Sequence, residues 1–424
     1  MSLLADLLST VFERTERIGP ILRRDPRSTE ALISDLMASS SETVAQDLAR
    51  RILQRYAEMD DVARLALFRH VAEALTLDTS AVRSALEAYE ASPSADSYRA
   101  FTAATEAPRH ELVRRLNKVP GATERLVQMR ADLRRMAGED AALRALDQDF
   151  RHLFKSWFNR GFLVLRPISW QSPAHILEKI IAYEAVHTIH SWDDLRRRLK
   201  PDDRRCFAFF HPAMPDEPLI FVEVALTRGV PNSVQTLLAE DRPPEPAADA
   251  DTAVFYSISN CQPGLAGISF GNSLIKQVVA DLAKALPGLK TFVTLSPVPG
   301  LVRWLETQGI AYEPADPKGM SRLAAQYLLT AKRKGGAPLD PVARFHLGNG
   351  ASLHAVHAGA DVSENGLRQS AGVMVNYLYD LGKVEKNHDR FAESQEVVAS
   401  GPVRSLAGRD KPAAERKSDP AEVD

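Results

Sequence analysis

Cysteine is almost absent: Cys206 and Cys261 are the only two in 424 residues. That is too few for a disulfide framework or a cysteine-based zinc site, and it fits a reducing compartment. Charge imbalance is missing as well. The 53 basic and 55 acidic residues leave a formal net charge of -2, so no global field favours nucleic acid or an anionic membrane, and an anionic ligand must be met locally. No apolar run approaches the roughly twenty residues that span a bilayer. The first residues, MSLLADLLSTVFERTERIG, lack a basic segment ahead of an apolar core, so they read as an amphipathic helix rather than a secretion signal, and the closing AEVD is no peroxisomal address. Neither GxGxxG, nor GxxxxGK[ST], nor GxSxG occurs at the stretches considered below. These absences lead to the expectation of a cytoplasmic protein that handles a small molecule, with no nucleic-acid and no membrane partner.

What is present is the composition of an ordinary globular chain, 45% hydrophobic and 25% charged, long enough for two domains. Up to about Arg160, apolar residues recur three and four apart, as in AQDLARRILQRYAEMDDVARLALFRHVAEAL, with Leu and Ala on one face and Arg and Asp on the other. This predicts a helical domain over 1–160, with Thr79 or Ser80 as a helix N-cap and a break at Ser92-Pro93-Ser94. No polar constellation stands out in it, so it reads as a scaffold or oligomerisation module. Near Gly161 the period changes. GFLVLRPISW reads as a strand, followed by one long helix, SPAHILEKIIAYEAVHTIHSWDDLRRRL, capped by Ser172. RCFAFFHP, PLIFVEVALTRG, TAVFYSISN, LKTFVTLSP and ARFHLGNG read as further strands, alternating with helices such as NSLIKQVVADLAKAL. The expected class is therefore α+β, an all-α first domain followed by a mixed sheet with helices on its faces over 161–382. The polar stretch 383–424 is expected to be disordered.

Three stretches have the make-up of a site. In FYSISNCQPGLAGISFGNSLIKQVVADL, a strand meets a helix through a loop with Gly264, Gly267 and Gly271, whose amides could face an anion at a helix N-terminus. In LKTFVTLSPVPGLVRWL, Ser296 stands at a strand end fixed by Pro297 and Pro299, where sheet proteins bind ligands. In ARFHLGNGASLHAVH, His346 lies near the end of a supposed short strand, while His354 and His357, three apart, would share one face of a helix. A metal on that pair lacks nearby acidic or cysteine partners apart from Asp361, and Glu184 with His187 has no matching second Glu-x-x-His, so no metal is expected.

These stretches, in this order, with HPAMPDEPLIFVEVAL before them and GVMVNYLYDL after them, resemble the malonyl-CoA decarboxylase family over roughly Phe154 to Leu381. The shared segments SPVPG, FHLGNGA and NYLYDL make the match specific. The resemblance implies a helical bundle joined to a catalytic domain of GNAT-like fold, and a reaction that turns malonyl-CoA into acetyl-CoA and carbon dioxide without metal or organic cofactor. Carried over by position, it places the CoA phosphate loop on Ala266, Gly267, Ile268, Ser269, Phe270, Gly271 and Asn272, and the catalytic set on Ser296, His346 and Tyr379. Ser269 stands where the acetyltransferase form of the loop has its last small residue; backbone cradling tolerates that change. A homo-oligomer, implied to be a tetramer, completes the picture. The rival readings are a GNAT-type N-acyltransferase that uses acetyl-CoA and a non-catalytic CoA-binding scaffold.

Overall fold

Helical periodicity in the first half and alternating apolar runs in the second are realised as two compact units, one of 1–157 with Gln262–Ile268 and one of 158–261 with 269–424. The structure, a computed structural model, describes residues 25–268 and 274–408. The N-terminal amphipathic stretch, Ser269 to Asn272 of the candidate loop, and the tail after 408 lie outside the described residues.

In the first unit the helices are α1 (Thr29–Ala38), α2 (Glu42–Glu58), α3 (Asp61–Ala74), α4 (Thr79–Ala91), α5 (Ala95–Ala104), α6 (Pro108–Leu116), α7 (Ala122–Met136) and α8 (Ala141–Trp157). Leu36, Ile52, Phe68, Leu126 and Leu146 are buried, as their spacing requires. Asp78, one residue earlier than expected, caps α4 by accepting from the Ser80 and Ala81 amides. The break at Ser92-Pro93-Ser94 separates α4 from α5, and Ser94 closes a capping box with Ser97. The polar constellation that the sequence did not reveal centres on Arg130, whose guanidinium is wholly buried. It pairs with Asp147 at 2.8 Å and donates to the Gly264 and Ala266 carbonyls at 2.7 and 3.1 Å. Those carbonyls belong to the returning segment Gln262–Ile268, which packs on α7.

The second unit is a sheet in the order β1-β2-β3-β4-β5-β8-β6, with β7 on β8. Its strands are β1 (Val164–Ile168), β2 (Arg204–His211), β3 (Met214–Thr227), β4 (Thr252–Asn260), β5 (Thr291–Thr294), β6 (Ser296–Pro297), β7 (Ser352–His357) and β8 (Met374–Leu378). Among these strands β4 and β5 pair in parallel and the other pairs are antiparallel. Strand alternation sorts the side chains: Val254, Tyr256, Val293 and Leu295 share a core with Val234 and Leu237 of α11 (Val234–Leu238), while Phe255, Thr294 and Ser296 point the other way. A bulge between Phe255 and Ser257 interrupts the β3–β4 ladder. Beyond the bond from the Leu295 amide to the Phe255 carbonyl the two parallel strands part, since Ser296 pairs with Val375 of β8 and β4 runs on to Asn260. The parting opens the sheet beside Ser296.

Three local expectations are corrected. The single helix after Ser172 is two, α9 (Ala174–Tyr183) and α10 (Trp192–Leu199), because the Glu184 carboxylate turns back to accept from the Val186 and His187 amides. ARFHLGNG is not a strand; Ala343 to Gly348 lie in α15 (Pro341–Gly348), which Asp340 and Pro341 start. His354 and His357 lie on β7 instead of a helix. The stretch after 383 also departs from expectation up to 408, where α17 (Val384–Ser394) and α18 (Gly401–Ala407) bury Val384, Phe391 and Val403. The remaining helices are α12 (Leu274–Ala285), α13 (Leu301–Thr307), α14 (Pro317–Thr330) and α16 (Glu364–Ser370). Among the described residues no helix is long and apolar enough to cross a membrane.

Candidate active site

Two elements converge on the parted edge of the sheet. One is the end of β5 with its continuation Ser296-Pro297; the other is the last turn of α15, which carries His346. Asp340 joins them. Its carboxylate caps α15 through the Ala343 amide at 2.8 Å and accepts from the Gly300 amide at 3.4 Å, so one buried group ties the histidine's helix to the serine's loop. Burial raises its pKa to about 6. Gly300 is required where it stands, because a Cβ there would fall 2.1 Å from the Tyr327 hydroxyl.

The Ser296 hydroxyl donates to Thr294 Oγ1 at 2.9 Å and lies 3.1 Å from His346 Nε2; His346 Nδ1 lies 2.9 Å from the Tyr379 hydroxyl. Because the serine proton is engaged with Thr294, its oxygen accepts from His346. Nε2 then carries the imidazole proton and Nδ1 accepts from Tyr379. Thr294 Oγ1 also accepts from the Tyr377 amide at 3.2 Å, which anchors the end of the chain to β8. The Tyr377 ring stacks on His346 with centroids 4.6 Å apart, and its buried hydroxyl has no partner among the described residues.

Ser296, His346 and Tyr379 are 6%, 2% and 2% exposed. Burial drives the His346 pKa down to about 3 and lifts those of Tyr377 and Tyr379 well above the usual phenol value, so the imidazole is neutral and both phenols keep their protons near neutral pH. The result is a buried line of neutral groups, Tyr379 to His346 to Ser296 to Thr294. Such a line can offer protons and hydrogen bonds to an anion without a charge of its own, and the low dielectric strengthens each contact.

The structure thus brings together Ser296, His346 and Tyr379, the three predicted catalytic residues, while Ser269 to Asn272 of the predicted loop lie outside the described residues. Thr294, Asp340 and Tyr377 were missed. The signal for Asp340 was its position before Pro341, a helix start; Thr294 and Tyr377 gain their roles only through strand pairing. Of the loop residues, Gly267 takes φ +76°, and its carbonyl accepts from Arg151 at 3.2 Å. The Ala266 and Ile268 amides donate within the turn, to Pro263 and Leu265. His357 hydrogen-bonds Asn376. Among the described residues no cluster of three or more His, Cys, Asp or Glu side chains is placed to hold a metal ion.

Residues 161–317 and 311–418 match the family model of the malonyl-CoA decarboxylase C-terminal domain, and residues 76–158 match that of the malonyl-CoA decarboxylase N-terminal domain. The chain is 35% identical over 358 residues to the mitochondrial malonyl-CoA decarboxylase of Anser anser anser, covering 71% of this chain and 70% of that protein. Against the rat mitochondrial enzyme of the same name it is 35% identical over 354 residues, 71% of this chain and 72% of that one. The crystal structure of malonyl-CoA decarboxylase from Rhodopseudomonas palustris superposes with a TM-score of 0.85 at 48% identity, covering 90% of this chain and all 100% of that chain. The corresponding structure from Agrobacterium vitis gives 0.85 at 46% identity, with the same 90% and 100% coverage.

Proposed function

The chain belongs to the malonyl-CoA decarboxylase family, and from that premise we propose that it converts malonyl-CoA to acetyl-CoA and carbon dioxide, with His346 protonating the intermediate. The observation that carries the reading is the buried Tyr379–His346–Ser296 line, with links of 2.9 and 3.1 Å, at the place where β4 and β5 part. Decarboxylation breaks the bond between the carboxylate and the α-carbon. The electron pair enters the thioester carbonyl, and carbon dioxide leaves an enolate. That enolate is a strong base, so a neutral imidazole N–H suffices as its acid. His346 Nε2 gives its proton to the α-carbon, and solvent replaces it, which accounts for the one proton that the reaction consumes. Ser296 orients the malonyl carboxylate or carbonyl, and amides near the parted strands stabilise the oxyanion. A placed acid contributes about a hundred- to ten-thousandfold and an oxyanion donor about a hundred- to a thousandfold.

The same reading gives the loop from Ala266 to Asn272 to the CoA phosphates, takes the domain as GNAT-like on the strength of its sheet order and parted parallel pair, and needs no metal or organic cofactor. Self-association, taken as a tetramer from the resemblance, is supported by α4 and α5, which bury no residue within their own unit while carrying Leu86, Tyr89, Tyr98 and Phe101. A cytoplasmic location is supported by the two free cysteines. Incubating purified protein with malonyl-CoA alone tests the function: acetyl-CoA and carbon dioxide accumulate without an acceptor. Turnover only with an added amine favours the N-acyltransferase, and no turnover favours the non-catalytic scaffold.

A further inference from the structure

The second unit has a cavity of about 660 Å³ on the sheet face opposite Ser296, between the α9–α10 connection, α11 and α16. Its size is that of a metabolite pocket. His187 lines it, 8% exposed, and its Nε2 is buried with no hydrogen-bond partner among the described residues. Burial holds the imidazole neutral, with a pKa near 4. A buried ring nitrogen without a partner costs free energy until something bonds it.

Asp361, 4% exposed, lines the same space. One of its carboxylate oxygens accepts from Gln235 Nε2 and the Ser363 amide, and the other takes no hydrogen bond among the described residues. The His187 nitrogen and that carboxylate oxygen thus lack a partner among the described residues. Arg198 does not supply it, because its guanidinium is spent on the His187 and Thr188 carbonyls, Asp194 and Glu223. Arg368 on α16, an exposed residue, also lines the cavity with Glu364 of the same helix; it bonds the Asn365 side chain and forms no ion pair among the described residues. The arrangement asks for a hydroxyl or ammonium at the His187–Asp361 end and a carboxylate at the Arg368 end.

We propose that this cavity is a second binding site, for a small carboxylate that also carries a hydroxyl or ammonium group, and that its occupancy is transmitted to the active site through α16. The connection is short. The Ser370 hydroxyl at the end of α16 is buried and accepts from the Val298 amide at 3.1 Å, two residues beyond Ser296. A ligand that draws Arg368 inward moves the helix that holds that amide, and so changes where the serine stands. The helix is then an element whose position both sites bias, which is what coupling between them requires.

The full chain is titrated calorimetrically with L-serine, β-alanine, 3-hydroxypropionate and malonate, the last lacking a donor. Saturable millimolar or tighter binding is expected for at least one of the first three. β-Alanine against 3-hydroxypropionate tells ammonium from hydroxyl recognition. Arg368→Ala, at an exposed position that leaves the core intact, weakens that binding by about tenfold or more, as loss of a charge-assisted hydrogen bond does. His187→Phe does the same; if that variant fails to fold, Arg368→Ala alone decides. The bound probe changes kcat or KM for malonyl-CoA in the wild type and leaves Arg368→Ala unchanged. Absence of saturable binding by any of the three, tightest binding by malonate, or equal binding by wild type and Arg368→Ala overturns the site. Binding with kcat and KM both unaltered overturns the coupling.

Discussion

Replacing Tyr379 with Phe removes one oxygen and keeps the ring. The hydroxyl is the donor to His346 Nδ1 at 2.9 Å, and both residues are 2% exposed, so no water can take its place without repacking. An unsatisfied buried acceptor costs about 1 to 3 kcal/mol. Part of that appears as lost stability. The rest appears in the tautomer, because the Tyr379 hydrogen bond is what favours the form with the proton on Nε2, facing Ser296. If the full amount fixes the tautomer, its loss lowers kcat by between about fivefold and about 150-fold. KM for malonyl-CoA stays near the wild-type value, since the hydroxyl faces the histidine and acts as a positioning group. Steady-state rates of acetyl-CoA formation, with a thermal melt to confirm folding, measure both effects. A variant with normal kcat and stability refutes the claim that Tyr379 sets the imidazole's proton, and so does a loss confined to KM.

Three other perturbations follow from the same geometry. Gly264→Ala puts a Cβ 1.9 Å from the Val127 carbonyl oxygen, a backbone clash expected to cost about 3 kcal/mol or more in denaturant unfolding; a change below about 1 kcal/mol would contradict the close packing of that turn on α7. The wild type and His346→Gln should diverge with pH. The folded pKa near 3 lies below the unfolded value of 6.5, so the neutral imidazole's contribution is complete above pH 6.5 and is lost as pH falls toward 3, by up to about 1.4 kcal/mol per unit. A stability difference between the two proteins that does not vary with pH refutes the burial argument. Dialysis against EDTA should leave malonyl-CoA turnover unchanged, because the thioester carbonyl is the electron sink in this account; metal-dependent recovery of lost activity would overturn it.

Much of the sheet was legible because β2 to β5 are short apolar runs rich in β-branched and aromatic residues and bounded by turn residues. The strand assigned to ARFHLGNG failed for a stated reason. Phe345 and Leu347 alternate with polar neighbours over too few residues to separate a strand from a helical turn, and the deciding signal, Asp340-Pro341, lies just upstream. The helices after 383 were hidden because α17 buries only Val384, Asn387 and Phe391 in a polar sequence, a face too thin to read before its partner surface is known. Ser296 was visible as a strand end, His346 was singled out on a supposed strand that is a helix and gained its role through the family resemblance, and Tyr379 was visible only through that resemblance. Thr294 and Tyr377 were not legible at all, since what places them is pairing between β5 and β8, more than eighty residues apart in the chain. Arg130 likewise reads as one more helix-surface arginine until the segment at Gly264 returns to meet it.

The central claim is that His346 delivers the proton. It is tested most directly by malonyl-CoA turnover at neutral pH for His346→Ala beside the wild type, with folding verified by its melt. The account predicts a fall in kcat of about a hundredfold or more, while near-normal decarboxylation by the folded variant would contradict it.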